Sequence, residues 1–340
     1  MPLTSQKNQR FPVFPSQSGA VQLRIVRKRL PRANPYRGLT FFPLTILSMS
    51  KLHADFYADA MHQVDVPIER NDLIAETTYL VRVPVPEIAR QVLPGQFVMI
   101  RMSGRDAPLI GRALAVFDVI QDEAGQPHWI DLVYLRKGAF TQTLAASPLG
   151  TRVTLWGPLG NGFANRTCDR LIMAVGGIGQ TPMLLLGREA LGKQSFGLPP
   201  RTGGWAEEAE VIYGARRASL LAGVEEFRAS GFEVTLCTDD GSAGIKRLVP
   251  DMLKTRLDEL PQGSRVRVVT CGPEIMMQKV SEVCAARHVD CQVSMETPMA
   301  CGIGICFSCV AKVRQDGPEP WDYQRTCVEG PIFDAERMYW

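Results

Sequence analysis

Two hydrophobic rhythms divide the chain. From about residue 63 to 165, apolar and β-branched residues come in short runs at 77–84 (TTYLVRVP), 96–102 (QFVMIRM), 113–120 and 129–135. Turn formers separate the runs at Pro94-Gly95, Gly104-Arg105-Asp106 and 122–125. Short strands broken at even spacing predict a small antiparallel β-barrel. Near Arg170 the rhythm changes. The run 171–175 (LIMAV) is apolar throughout, and a helical pattern over 181–191 follows it. Further buried-looking strands over 209–213, 233–238 and 265–270 alternate with helical stretches, which predicts an α/β domain on a parallel sheet. Residues 192–208, rich in Gly and Pro, predict a surface loop. The reading is therefore an α+β multidomain chain without internal repeats. It has a leader over 1–60, a barrel over 61–165, an α/β domain over 166–290 and a small C-terminal segment over 291–340.

Length and composition agree with this division. The 340 residues suffice for two or three domains, and 45% hydrophobic with 21% charged residues describes an ordinary globular protein. No apolar run is long enough to predict a membrane span. The net charge of +3 hides an asymmetry, because the first 54 residues carry nine Lys or Arg and no Asp or Glu. The remainder holds 29 basic and 35 acidic residues. The basic opening reads as a disordered or translated upstream leader rather than a signal peptide, with Met49 and Met61 as alternative starts. It lacks regularly interleaved aromatics, so nucleic-acid binding is not expected. A cytoplasmic location is.

Nine cysteines are many for a chain without a secretory signal, and a disulfide framework does not suit a reducing compartment. Cys168, Cys237, Cys284 and Cys291 stand apart and read as buried apolar thiols. Cys301, Cys306, Cys309 and Cys327 do not stand apart. Their C-x4-C-x2-C spacing with a distant fourth cysteine is the plant-type [2Fe–2S] pattern. Gly302 and Gly304 inside the loop allow close backbone approach and N–H donors to sulfur. A structural zinc site is the competing reading, but zinc sites usually pair two C-x2-4-C knuckles, and only one is present.

Two glycine-bearing turns point to a nucleotide. Gly176-Gly177-Ile178-Gly179 lies between a strand and a helix, where exposed amides can receive a pyrophosphate. Cys271-Gly272 follows a later strand and belongs at the same sheet edge. In the barrel, Arg112 opens a strand and can neutralise a flavin pyrophosphate, although alone it reads equally as a solvated surface residue.

These elements, in order, resemble the ferredoxin–NADP reductase-like superfamily. Within it they resemble the electron-transfer subunits of class 1B dihydroorotate dehydrogenases from about Val66 onward. The carriers are Pro94-Gly95-Gln96-Phe97, the 157–163 turn (GPLGNGF), the 176–182 turn (GGIGQTP), Tyr213-Gly214-Ala215-Arg216, the 238–242 segment (TDDGS), Cys271-Gly272-Pro273, the block from Glu296 to Cys309, and the 327–333 tail (CVEGPIF). The resemblance implies FAD in the barrel, NAD(H) on the α/β domain and a cluster facing an FMN-containing catalytic subunit, two of each in a heterotetramer. It maps the flavin motif onto Arg112, Ala113, Leu114 and Ala115, where the family's hydroxyl is absent at Ala115. A second flavin segment maps onto Val133, Tyr134, Leu135, Phe140 and Thr141, lacking the family's Arg and Gly. It also brings Cys271 toward the nicotinamide, with packing as the other role. Alternatives keep the cofactors with a ferredoxin–NADP(H), sulfide dehydrogenase or hydrogenase-type partner, or replace them with a zinc-stabilised binding module. Arg216-Arg217 are candidates for a 2′-phosphate, which would favour NADP(H), or for a solvated helix start.

Overall fold

The computed structural model describes residues 61–105 and 107–340, so the leader lies outside the described residues. The first sheet is antiparallel and is built from β1 (His62–Pro67), β2 (Arg70–Ala75), β3 (Thr78–Pro84), β4 (Phe97–Met102), β5 (Arg112–Gln121), β6 (Pro127–Leu135) and β7 (Arg152–Leu159). Its order is β1-β7-β4-β5-β6-β3-β2. The edge strands β1 and β2 are consecutive in the chain and joined by only Ile68 and Glu69. Two residues span so little that the edges must lie close, and the sheet curls into an open barrel. Short helices α1 (Pro86–Ala89) and α2 (Ala139–Ala145) cover its ends. The core inside the curl includes Val81, Ile100, Ile130, Leu132, Tyr134 and Phe140.

The second sheet has order β10-β9-β8-β11-β12-β15. Its parallel strands are β8 (Cys168–Gly176), β9 (Ala206–Ala215), β10 (Glu233–Thr238), β11 (Val266–Cys271) and β12 (Asp290–Ser294). Helices α3 (Met183–Ala190), α4 (Val224–Ala229), α5 (Val249–Glu259) and α6 (Glu274–Ala285) make the crossovers. Chain order reverses between β8 and β11, so their carboxyl ends border the crevice where open α/β sheets take ligands. Beyond β12, β13 (Val310–Arg314) and β14 (Trp321–Arg325) form a hairpin. The final strand β15 (Ile332–Asp334) then returns to pair antiparallel with β12. The C-terminal segment is thereby interlocked with the nucleotide-type sheet.

The 192–208 stretch departs from the expected surface loop. Phe196 and Trp205 are buried, and Arg201 donates through Nε and Nη2 to the fully buried Glu189 carboxylate at 3.0 and 2.6 Å. Gly and Pro mark irregular backbone, and the aromatic anchors decide its burial.

Leu80, Phe117 and Val133 of the barrel enter the core around β8 and β9. A polar tie flanks this seam. Arg188 on α3 donates to Asp118 on β5 at 2.6 Å and to Ser230 at 2.9 Å. Asp118 faces Asp131 across the β5–β6 ladder, and Arg82 holds Asp131 at 2.7 and 2.8 Å. Burial raises the Asp118 carboxyl pKa even though Arg188 pulls it down. Arg188→Ala should therefore cost about 3 kcal/mol at neutral pH by leaving a buried carboxylate unpaired. A carboxyl raised on folding contributes stability at low pH that is lost as pH rises through its folded value. The melting deficit of the variant should accordingly be smaller near about pH 5 than near about pH 8. A deficit independent of pH would assign the loss to packing alone.

Candidate functional site

The loop that carries Cys301, Cys306 and Cys309 and the segment that carries Cys327 come together at the base of the barrel. Cys309 and Cys327 are buried with Phe97 and Met99 of β4, Leu159 of β7 and Val328. Residues 301–309 form an irregular loop, with Gly302 at φ +74° and packed so closely on the barrel that a Cβ there would lie 2.6 Å from Met99 Cγ. The Trp156 indole N–H donates to the Cys301 carbonyl at 2.9 Å. The Thr326 N–H donates to the Cys309 carbonyl at 2.7 Å, which brings the distant fourth cysteine back to the loop.

The thiols are grouped in pairs. Cys306 interacts with Ser308 at 3.2 Å and with Cys301, and these contacts pull its pKa down to about 6. Cys309 is pulled to about 6 by Cys327, whose own pKa is pushed up by the same contact and by burial. Backbone N–H groups already point at sulfur, with Ile303 donating to Cys301 Sγ at 3.4 Å and Gly304 directed at Cys327. Among the described residues, no three His, Cys, Asp or Glu side chains converge on one point. Two cysteine pairs suit a cluster of two irons, each taking two thiolates. Four thiols with backbone N–H groups directed at sulfur fit a [2Fe–2S] cluster.

At the switch point, the Gly176-Gly177-Ile178-Gly179 segment leaves β8 and turns into a single 3-10 turn. Gly177 has φ +55° and open space above its Cα, whereas a Cβ on Gly179 would strike the Cys271 carbonyl at 2.3 Å. One glycine faces the crevice and the other packs the two turns together. Cys271 ends β11 beside Val175, and Gly272 follows it. The Gln180 side-chain amide and Thr270 Oγ1, both buried at this edge, have no hydrogen-bond partner. Unpaired polar groups next to an open glycine turn fit a ligand with phosphates and hydrogen-bonding groups.

Cys271 is buried, and desolvation pushes its thiol pKa well up. Its Sγ lies 3.8 Å from Glu296 Oε1. Glu296 is reachable by solvent, yet desolvation raises its carboxyl pKa.

The flavin candidates divide. Arg112 is exposed and donates to the Ile110 and Gly111 carbonyls at 3.1 Å, with no carboxylate partner among the described residues. Ala113, Leu114 and Ala115 follow it half-exposed along β5. Val133, Tyr134 and Phe140 are buried, with Leu135 half-buried beside them. The Tyr134 hydroxyl donates to Asn71 at 2.8 Å, and burial raises its pKa. Thr141 Oγ1 caps α2, accepting the Lys137 and Gly138 N–H groups at 3.0 and 3.1 Å. These side chains shape the wall rather than face the crevice. The exposed groups at this end of β6 are Arg136 and Lys137, which the motif mapping missed by looking for Arg next to Tyr134. The antiparallel register puts them at the same end as Arg112. A half-exposed apolar strip with cations at its rim fits a flat ring system carrying a pyrophosphate.

Comparison with known proteins agrees with this geometry. Residues 296–339 match the iron–sulfur cluster binding domain of dihydroorotate dehydrogenase B. The chain is 31% identical over 269 residues to the dihydroorotate dehydrogenase B (NAD+) electron-transfer subunit of Desulforamulus reducens, covering 79% of this chain and 95% of that one. This chain belongs to that family. The Bacillus caldolyticus subunit is 33% identical over 266 residues, covering 77% of this chain and 93% of that protein. Among solved structures, an NADH-dependent reduced ferredoxin–NADP oxidoreductase described for flavin-based electron bifurcation superposes with TM-score 0.66 at 26% identity, covering 81% and 90% of the two chains. Phthalate dioxygenase reductase shares the fold at TM-score 0.52 and 14% identity, covering 79% of this chain and 92% of that one. No helix among the described residues of this family member is long and apolar enough to cross a membrane.

Proposed function

We propose that this chain is the electron-transfer subunit of a dihydroorotate dehydrogenase B, linking a catalytic partner in pyrimidine biosynthesis to NAD(H) through a [2Fe–2S] cluster and FAD. One observation carries the reading: the thiol pairs, the curled sheet and the switch-point crevice adjoin in the order that electrons would follow. Nicotinamide exchanges hydride, a cluster exchanges single electrons, and a flavin handles both.

The chain's own residues supply position and charge. Cys301, Cys306, Cys309 and Cys327 would hold the cluster, with the Ile303 and Gly304 amides directed at the Cys301 and Cys327 sulfurs. Arg112, Arg136 and Lys137 would neutralise the flavin pyrophosphate, and backbone N–H groups of the half-exposed 113–115 stretch would serve the ring where Ala115 lacks a hydroxyl. Val133, Tyr134, Leu135, Phe140 and Thr141 keep that wall rigid from behind. Gly176, Gly177, Ile178 and Gly179 present amides to the nucleotide phosphates, and Cys271 and Gly272 close the crevice beside the nicotinamide. The partner is an FMN-containing dihydroorotate dehydrogenase catalytic subunit in a two-plus-two assembly, located in the cytoplasm.

A second reading keeps every residue role but exchanges the partner for a ferredoxin–NADP(H) type subunit, because the chain superposes on such an oxidoreductase over most of its length. Coexpression with the dihydroorotate dehydrogenase catalytic chain decides between them. The first reading expects a copurifying complex that forms orotate only when NAD+ is supplied. Failure to bind that chain, with FAD and cluster intact, would overturn it in favour of the second.

A further inference from the structure

The hairpin turn between β2 and β3 consists of Glu76 and Thr77, and Thr77 lies at φ +59°. The left-handed region is crowded for a β-branched residue, so this turn is held by its surroundings rather than by its own preference. The Arg136 N–H donates to the Thr77 carbonyl and the Glu76 N–H to the Ser219 carbonyl, both at 2.8 Å. The Glu76 carboxylate accepts Arg217 Nε at 3.1 Å, Arg217 Nη2, and Ser219 Oγ at 2.5 Å. A barrel turn is thus latched to the loop that follows β9.

That loop has a defined place in dinucleotide recognition. The end of the second strand of such a sheet reads the adenosine ribose, where an acid accepts a hydrogen bond from the 2′-hydroxyl and an arginine donates to a 2′-phosphate. Arg216 and Arg217 stand there. Asp239 and Asp240 at the end of β10 attach to the same loop through N–H bonds to the Ala215 and Arg216 carbonyls at 3.1 and 3.2 Å. Ser242 donates to Asp240 at 2.6 Å and accepts the Ala218 N–H at 2.7 Å. Lys246 packs on the adjoining Gly241, so with Glu76 included the three carboxylates offset the three cations and leave no surplus positive charge for a phosphate dianion.

We infer that Glu76, although part of the flavin barrel, is a specificity-determining residue for the nucleotide. By engaging Arg217 it withdraws the cation that would receive a 2′-phosphate, and so favours NAD(H) over NADP(H). An exposed ion pair is weak by itself and could yield to a phosphate. Here the carboxylate is also fixed by Ser219 and by the turn backbone, so moving Arg217 away breaks a network. The inference rests on the proposed placement of the nucleotide phosphates at Gly176–Gly179.

The test is titration calorimetry of NAD+ and NADP+ with the complete protein, carrying its FAD and cluster, as wild type, Glu76→Gln, Glu76→Asp and Glu76→Gln/Arg217→Ala. Glu76→Gln should tighten NADP+ by about ten-fold, the lower end of what a charge-assisted hydrogen bond supplies, with NAD+ unchanged. Glu76→Asp, with a shorter reach, should shift in the same direction by less. The gain should fall with added salt and vanish in the double variant. An unchanged NADP+ affinity in both single variants overturns the inference. So does a parallel change for both nucleotides, which would make the latch purely structural. If wild type binds neither nucleotide, the placement of the phosphates is wrong and the inference falls with it.

Discussion

Cys309→Ser should give a protein that is yellow but not brown, with its flavin retained and its iron lost. Cys309 is almost inaccessible to solvent and packs in an apolar cluster with Phe97, Met99 and Leu159. A hard hydroxyl is a poor substitute for a soft thiolate on iron–sulfur clusters. Even partners one shell beyond a metal ligand cost about 10–100-fold when removed, so loss of the ligand itself should lower electron delivery to the partner by more than about 100-fold. NADH should still bleach the flavin, because the crevice at the β8–β11 switch point is untouched. Iron content, the cluster's paramagnetic resonance on reduction and stopped-flow flavin reduction measure the three statements separately. Cys237→Ser, buried far along the chain in β10, serves as the control and should leave iron unchanged. A Cys309→Ser protein with full iron would remove Cys309 from the ligand set, and zinc in the wild type would remove the cluster.

The second large effect concerns a single methyl group. A Cβ on Gly179 would lie 2.3 Å from the Cys271 carbonyl oxygen, 2.4 Å from its carbon and 2.6 Å from the Gly272 nitrogen. All three are backbone atoms at the end of β11, paired with β8, so relief requires the two central strands to separate at their ends. Gly179→Ala is expected to cost about 3 kcal/mol, toward the top of the usual overpacking range, and to abolish NADH binding. Gly177→Ala provides the contrast. Nothing lies within 4 Å of the added carbon, and the strain of φ +55° should cost only about 1 kcal/mol. It should nevertheless weaken NADH binding, because the methyl occupies the space assigned to phosphate. Denaturant unfolding and NADH titration of both variants separate packing from binding. Normal NADH affinity in Gly177→Ala would place the phosphates elsewhere.

How much of this was readable beforehand depended on periodicity and on distance along the chain. The expected strand over 233–238 coincides with β10, and that over 265–270 is displaced by one residue from β11, because central parallel strands are apolar runs bounded by turns. Edge strand β2 (RNDLIA) carries Arg, Asn and Asp and shows no two-residue alternation, so its role at the barrel edge emerges only from pairing with β3. Local spacing was enough to single out the four cysteines. Their division into pairs was not contained in that spacing, since it depends on Thr326 joining the loop to a residue 17 positions away. Tyr134 and Phe140 were singled out by motif position, but burial turns their side chains to the core and leaves Arg136 and Lys137 outside. Glu76 and Arg217 are 141 residues apart and carry no shared motif, so only folding reveals their contact.

The hook from Trp156 to the Cys301 carbonyl, with Gly302 pressed on Met99 and Leu159, has a mechanical meaning. Among the described residues, these contacts fasten the thiol loop directly to strands of the barrel. Electron carriers that rely on tethered, swinging modules must wait for an encounter at every turnover. This chain instead resembles a wire of fixed length, whose gap is set when it folds.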